Sequence, residues 1–426
     1  MKVTALRCIT CGSVYGPEEL EYTCPRCGPR RGTLEVLYDY EKIKRGFTRE
    51  SLERDQNRTM WRYLPILPVE DERYIQPLWV GWTPLYRFEG LARKYGVREL
   101  YIKDDGVNPT ASYKDRASAL AVVKAQEKNK KLITCASTGN AASSLAGFAA
   151  ASSTPLLTII FVPKAAPEAK LAQLLIYGAK VLAVEGSYDQ AYDLCLEAAE
   201  RYGWYNRSAA INPYLVEGKK TGALEIAEQL NWEVPDLVLV PVGDGSVISG
   251  IYKGFHDLLE LGFIAGIPKI IGVQAEGASP IKRAFERYDG NEVIIEDQEA
   301  KTLADSIAVG KPRDIVKAVK YVSAAKGSFI SVSDEEILRA IEELAERTGV
   351  FAEPAAAAAY AGFLRLADQG RLSKSDRVVV MITGSGLKDI AAAREAASAK
   401  GPYTIGASLE ELERALKELG LASQPA

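Results

Sequence analysis

The sequence predicts an α/β protein, built on an open and mostly parallel sheet and preceded by a small metal-binding ribbon. From Leu100 onward, short β-branched runs alternate with amphipathic helical patterns, the texture of βαβ units. Four of the six cysteines fall within the first 27 residues as two Cys-x-x-Cys pairs. A chain of 426 residues, 47% hydrophobic and 26% charged, is long and apolar enough for two or three domains around a full core.

The ribbon comes first. Cys8 and Cys11 lie in C-I-T-C-G, and Cys24 and Cys27 in C-P-R-C-G. A two-residue gap lets both thiolates of a knuckle reach one ion, and the glycine that follows permits the tight turn. Four thiolates suit a tetrahedral zinc and leave no open position, so the expected role is structural. The competing reading, two disulfides, is disfavoured in a reducing cytoplasm. Cys135 and Cys195 sit in apolar runs and are expected to be buried packing residues.

A connection rich in Arg, Tyr, Trp and Pro follows, from about Tyr38 to Trp82, with poor periodicity. Strands are then expected at Leu132–Ser137, Leu156–Pro163, Lys180–Gly186, Leu237–Gly243, Lys269–Gly277 and Arg377–Thr383. Helical patterns cover Pro167–Gly178, Tyr188–Gly203, Asp334–Thr348, Pro354–Gln369 and, in the tail, Ser408–Leu419.

Composition excludes several functions. A formal net charge of −3 gives no reason to expect nucleic acid or anionic lipid. No apolar run approaches the length of a membrane span, and the start lacks a signal-peptide pattern, so a cytoplasmic protein is expected. The single histidine, His256, rules out catalytic designs that need two or more. Scarce His and Met beside abundant Lys, Glu and Arg lean towards a thermophile.

Ligands of open α/β sheets bind where strands run into helices. Ser137, Thr138, Gly139 and Asn140 follow one strand and open a helix, offering N–H groups, hydroxyls and an amide to a carboxylate or phosphate; helix capping is the plain alternative. Gly243, Asp244, Gly245, Ser246 and Val247 form a glycine-rich turn into a helix near Val247, an anion-binding concavity. With Glu276 closing the next strand, a dinucleotide site is a competing reading of that loop. Thr383, Gly384, Ser385 and Gly386 make a third such turn, for ligand contact or structure alone. In Asn108-Pro-Thr-Ala-Ser-Tyr-Lys114-Asp-Arg116, Pro109 discourages helix before it, Thr110 or Ser112 is expected to cap, and Lys114 falls in the first turn. A helix N-terminus disfavours a cation, so Lys114 there favours the neutral amine that Schiff-base chemistry requires.

N-P-T-A-S-Y-K-D-R, S-T-G-N, the glycine loop at 243–250 and T-G-S-G-L-K-D from Thr383 occur in the order found in pyridoxal-phosphate enzymes of the tryptophan synthase β type, fold type II. The set most resembles the threonine synthases, as do GWTPL (81–85), INPYLVEGKKT (211–221), GVQAEG (272–277) and EPAAAA (353–358). The double Cys-x-x-Cys ribbon followed by GTLEVLYDY resembles the archaeal type. The resemblance implies a two-lobed α/β fold with pyridoxal 5′-phosphate between the lobes. Residues 1–37 would form the zinc ribbon, 38–114 a linker and the first part of the large lobe, and 115–215 a smaller mobile lobe. Residues 216–400 would complete the large lobe, and 401–426 a helical tail. Lys114 would carry the cofactor, Asn140 would bond its phenolic oxygen, and Ser137 to Asn140 would hold the substrate carboxylate. Gly243 to Val247 would cradle the cofactor phosphate, and Thr383 would face the pyridine nitrogen. The implied reaction converts O-phospho-L-homoserine and water to L-threonine and phosphate, in a homodimer.

Two departures accompany the likeness. Where the family reads Ser-x-Asn-Pro-x-Arg, with Ser and Arg on the substrate phosphate, this chain has Ala210 and Leu215; where it reads Gly-Asn, this chain has Gly243-Asp244. Lys219, Lys220, Arg116 and Lys164 are the cations available to compensate. The departures motivate a second reading, β-elimination or β-replacement on another amino acid, as in a serine/threonine dehydratase or a cysteine or cysteate synthase. A non-enzymatic scaffold is the reading from another class, and the intact Lys114, Asn140 and glycine loop oppose it.

Overall fold

The computed structural model describes residues 3–166, 168–209, 211–397 and 401–421. Its strands are β1 (Val3–Cys8), β2 (Val14–Tyr15), β3 (Leu34–Tyr38), β4 (Leu85–Arg87), β5 (Glu99–Asp104), β6 (Leu132–Ala136) and β7 (Leu157–Pro163), then β8 (Lys180–Val184), β9 (Tyr205–Asn206), β10 (Leu237–Pro241), β11 (Lys269–Ala275), β12 (Ser328–Val332) and β13 (Arg377–Ile382). They form three sheets. The ribbon sheet is antiparallel with order β2-β1-β3. The large sheet runs β12-β11-β10-β13-β5-β4, parallel except for β4 at its edge. The small sheet, β8-β7-β6-β9, is parallel throughout. All six expected strands and all five expected helices form, with ends within a few residues of expectation; Pro167 lies outside the described residues. Four members of the two larger sheets were not foreseen: β4, β5, β9 and β12.

β5 hides because its sequence, ELYIKD, carries a lysine where a core strand carries an apolar residue. Lys103 is fully buried, and its Nζ sits 2.7 Å from Glu225 Oε2. Arg116 completes the network. Its Nε lies 2.7 Å from Asp105 Oδ2 and its Nη1 2.5 Å from Glu225 Oε1, all with no exposed side-chain area. Four charges that sum to zero thus tie β5 to two helices, Lys114–Glu127 and Thr221–Gln229.

The helix Lys114–Glu127 is buried on every side from Asp115 to Gln126, which explains its weak amphipathic pattern. It packs against helices Tyr214–Lys219 and Asn140–Ala150, at the junction of the two larger sheets. Neither Thr110 nor Ser112 caps it: the first residue outside is Tyr113, with no side-chain cap. Thr110 instead donates its backbone N–H to the Asp115 carboxylate at 2.7 Å. The start is held from elsewhere. Tyr113 N donates to Thr383 O at 2.8 Å, Ser385 N donates to Ala111 O at 3.1 Å, and Ser112 bridges Gly384.

The ribbon docks on the large lobe. Lys317 and Lys320 donate to the carbonyls of Leu34 and Ile9 at 2.8 and 3.0 Å. Tyr38, at the end of β3, donates to Glu217 at 2.6 Å. The irregular connection is well packed, with Met60, Trp61, Arg62 and Tyr63 buried and Arg62 paired to Glu228 at 2.6 Å. Helix Leu409–Glu418 lies on the surface as expected, burying only Ala415. No helix among the described residues is long and apolar enough to cross a membrane.

Candidate active site and metal centre

At the carboxyl edges of both larger sheets lies a cavity of about 540 Å³, within the usual size for a cofactor pocket. Lys114, Ser137, Thr138, Gly139, Asn140, Gly243, Asp244, Gly245, Ser246, Val247 and Thr383 all line it, whereas Gly384, Ser385 and Gly386 of the third turn do not.

Lys114 is the first residue of its helix and opens into the cavity. Burial lowers its pKa, and the Arg207 guanidinium lowers it further, against Glu353 and Asp244. The amine is therefore biased towards the neutral, nucleophilic form.

The glycine loop follows β10 and opens the helix Ser246–Glu260. Gly245 has φ +95, and a Cβ there would stand 2.9 Å from Ala318 Cβ. Only glycine fits there, and the loop lines the cavity at the positive end of a 15-residue helix. Behind the loop, Lys219 Nζ sits 2.5 Å from Ser246 Oγ. Burial lowers the Lys219 pKa strongly, followed by the positive charges of Lys114 and Arg207.

The turn Ser137–Asn140 opens the helix Asn140–Ala150, with Gly139 at the cap position and no side-chain cap, so the plain capping reading fails. Asn140 Nδ2 donates to both carboxylate oxygens of Glu353, at 2.8 and 2.9 Å. Glu353 is buried, and burial raises its pKa against the opposing Asn140 bond. Thr383, 8% exposed, is placed by the same 2.8 Å bond from Tyr113 that fixes the helix start.

Sequence reasoning missed Glu353, Arg207, Asp305 and Ser306, which also line the cavity. Glu353 begins the EPAAAA stretch, and its position before a proline-led helix was the available signal. Arg207 and the 305–306 turn carry no motif. Of the four compensating cations, three are committed elsewhere. Arg116 serves Asp105 and Glu225; Lys220 serves Glu217 and Asp257; Lys164 pairs on the surface with Glu185. Leu215 is fully buried in the core, and Ala210 lies outside the described residues.

In the ribbon, the Sγ atoms of Cys8, Cys11, Cys24 and Cys27 lie within 4.8 Å of one another, with Cys11 and Cys24 at 3.8 Å. The edge of a Zn–S₄ tetrahedron with 2.3 Å bonds is about 3.8 Å, so the set fits that ion. Gly12 and Gly28 have φ +72 and +70, the turns their positions require. All six cysteines are free thiols, and Cys135 and Cys195 are buried.

A buried lysine of lowered pKa and a glycine-rich turn at a helix start, lining one cavity at the edges of two sheets, define a class, and the family model described as "Pyridoxal-phosphate dependent enzyme" matches residues 77–384. The chain belongs to that family. It is 42% identical to a threonine synthase of Methanocaldococcus jannaschii, over 97% of this chain and 99% of the relative. A threonine synthase of Methanosarcina acetivorans is 40% identical over 90% and 92%. Among solved structures, diaminopropionate ammonia lyase from Escherichia coli aligns with a TM-score of 0.64 at 16% identity, covering 94% of this chain and 99% of that one. Threonine deaminase isoform 2 from Solanum lycopersicum aligns at 0.63 and 23% identity over 75% and 88%. These two likenesses speak to the fold alone.

Proposed function

We infer that this chain converts O-phospho-L-homoserine and water to L-threonine and phosphate, with pyridoxal 5′-phosphate as cofactor. The observation that carries the reading is the near end-to-end kinship with threonine synthases, at 42% identity. The β-elimination and β-replacement alternative draws only on the sequence departures.

The residues present fit the cofactor: a buried amine of lowered pKa, a glycine-rich turn at a helix start, and a cavity large enough for cofactor and a small amino acid. Lys114 would hold it, the N–H groups of Gly243 to Val247 its phosphate, Asn140 its phenolic oxygen, and Thr383 its ring nitrogen. Bound there, pyridoxal phosphate supplies an electron sink for charge developing beside the substrate's α-carbon. Lys114 then acts as the base at Cα, and its low basicity lets it give the proton back at neighbouring positions. Ser137 to Asn140 orient the substrate carboxylate at the positive end of their helix. Glu353 holds the Asn140 amide in place. A hydroxyl at Thr383 stabilises a protonated ring nitrogen less than a carboxylate would, which favours elimination and replacement over transamination. The smaller lobe, residues 115–215, closes over bound substrate in this reading.

The ribbon thiolates would hold a structural zinc, an arrangement suited to a reducing, cytoplasmic setting. A homodimer is the assembly the resemblance implies, to be read by sedimentation. The direct test supplies O-phospho-L-homoserine to purified protein and follows phosphate and threonine together. Equal amounts of both are expected; bound cofactor without turnover would reject the reading. Borohydride reduction and peptide mapping should place a pyridoxyl adduct on Lys114, and Lys114→Ala should abolish both adduct and activity.

A further inference from the structure

Resting on the function above, we propose that Arg207 binds the phosphoryl group of the substrate, taking over from the Ser and Arg missing at positions 210 and 215. β9 ends at Asn206, so Arg207 leaves the carboxyl edge of the small sheet, its backbone N–H held by Thr134 O at 2.8 Å. The side chain is 1% exposed, and its Nε donates to Ser118 Oγ at 3.0 Å. That bond orients the planar guanidinium while the residue lines the cavity beside Ser208 and Ala209. A buried, oriented guanidinium is suited to paired hydrogen bonds with a phosphate.

Charge bookkeeping leads to the same residue. O-phospho-L-homoserine carries anionic groups at both ends, and the Ser137–Asn140 turn accounts for one. Among the described lining residues, the basic ones are Lys114 and Arg207, against the acidic Asp244, Asp305 and Glu353. Lys114 is committed to the cofactor, and the glycine loop with Lys219 behind it to the cofactor's phosphate. Leu215 points into the core, and Arg116, Lys220 and Lys164 are paired elsewhere. Arg207, unlike these three, lines the cavity, with its guanidinium oriented by Ser118. Its charge also reaches Lys114, whose amine it helps keep neutral.

The test compares Arg207→Met and Arg207→Lys holoenzymes with the natural protein. KM for O-phospho-L-homoserine and the inhibition constant of inorganic phosphate should rise together in the Met variant, by roughly 10- to 150-fold, the usual worth of a hydrogen bond to a charged group. The Lys variant should recover part of both; in the Met variant kcat should change less than KM, and the pH–rate profile should move to higher pH as Lys114 regains basicity. Both constants within threefold of the natural values, with the cofactor absorbance intact, would overturn the proposal. Should the Met variant fail to fold or to hold cofactor, Ser118→Ala decides: loss of the orienting bond should weaken phosphate inhibition several-fold, and no change overturns. If the natural protein leaves O-phospho-L-homoserine untouched, the functional reading falls separately. Titrating inorganic phosphate against the cofactor absorbance still decides for Arg207, because a response lost in Arg207→Met supports it and no response in the natural protein refutes it.

Discussion

Replacing Glu225 by Gln should cost about 3–5 kcal/mol. Glu225 is fully buried between Lys103 and Arg116, at 2.7 and 2.5 Å. Burial alone would raise its pKa, but Arg116 and then Lys103 outweigh that and hold it at about 2. Against an ordinary value of 4.5, a shift of that size corresponds to about 3 kcal/mol. Breaking a buried pair by removing one partner costs about 3–5 kcal/mol, because the stranded charges stay behind. Lys103 absorbs much of the change: burial already lowers its pKa, and without the Glu225 carboxylate it loses its main support as a cation. Unfolding entropy for a chain of this size is about 0.9 kcal/mol/K, so Tm should fall by about 3–6 °C. The pH dependence has a definite sign. A depressed carboxylate pKa gives stability that is present above the unfolded value and lost as pH falls towards 2, so the difference between Glu225→Gln and natural protein should be full at pH 7 and shrink below about pH 4.5. Paired calorimetric scans at pH 7 and pH 3.5 measure it. Equal Tm values at pH 7, or a difference that grows in acid, would refute the network as described.

Gly245→Ala forces a Cβ into the φ +95 conformation and to within 2.9 Å of Ala318 Cβ; cofactor affinity, read by dialysis and absorbance, should fall at least tenfold, and an unchanged affinity would discount the loop as phosphate cradle. In Gly218→Ala the new methyl would meet Arg116 O at 2.2 Å, so Tm should drop by several degrees; a neutral result would mean the two helices are less tightly apposed than described here. Cys24→Ser should reduce bound zinc from one per chain to near zero by atomic emission, and zinc retained at full stoichiometry would exclude the four-thiolate site.

Glycine turns after apolar strands made the candidate site legible, because both the conformation and the ligand chemistry they permit are local. Asn140, the 243–247 loop and Thr383 were visible for that reason, and Lys114 from the Asn108–Arg116 segment and its resemblance. Arg207 was not: a lone arginine in sequence is ordinarily a solvated surface residue, and only the fold shows that it is buried beside the cavity. β5 was missed on similar grounds, since its buried Lys103 is tolerable only with Glu225, 122 positions away. β12 is short and carries two serines, too little apolar pattern to register. The capping expectation at Thr110 and Ser112 failed because a pairing with residues 383–385, distant in sequence, fixes that helix start instead.

That pairing bears on how the protein is made. Residues 383–385, which brace the start of the Lys114 helix, leave the ribosome long after Lys114 itself. A nascent chain can fold its ribbon early, but the candidate site around Lys114 stays unfinished until that later segment has emerged and folded back onto it.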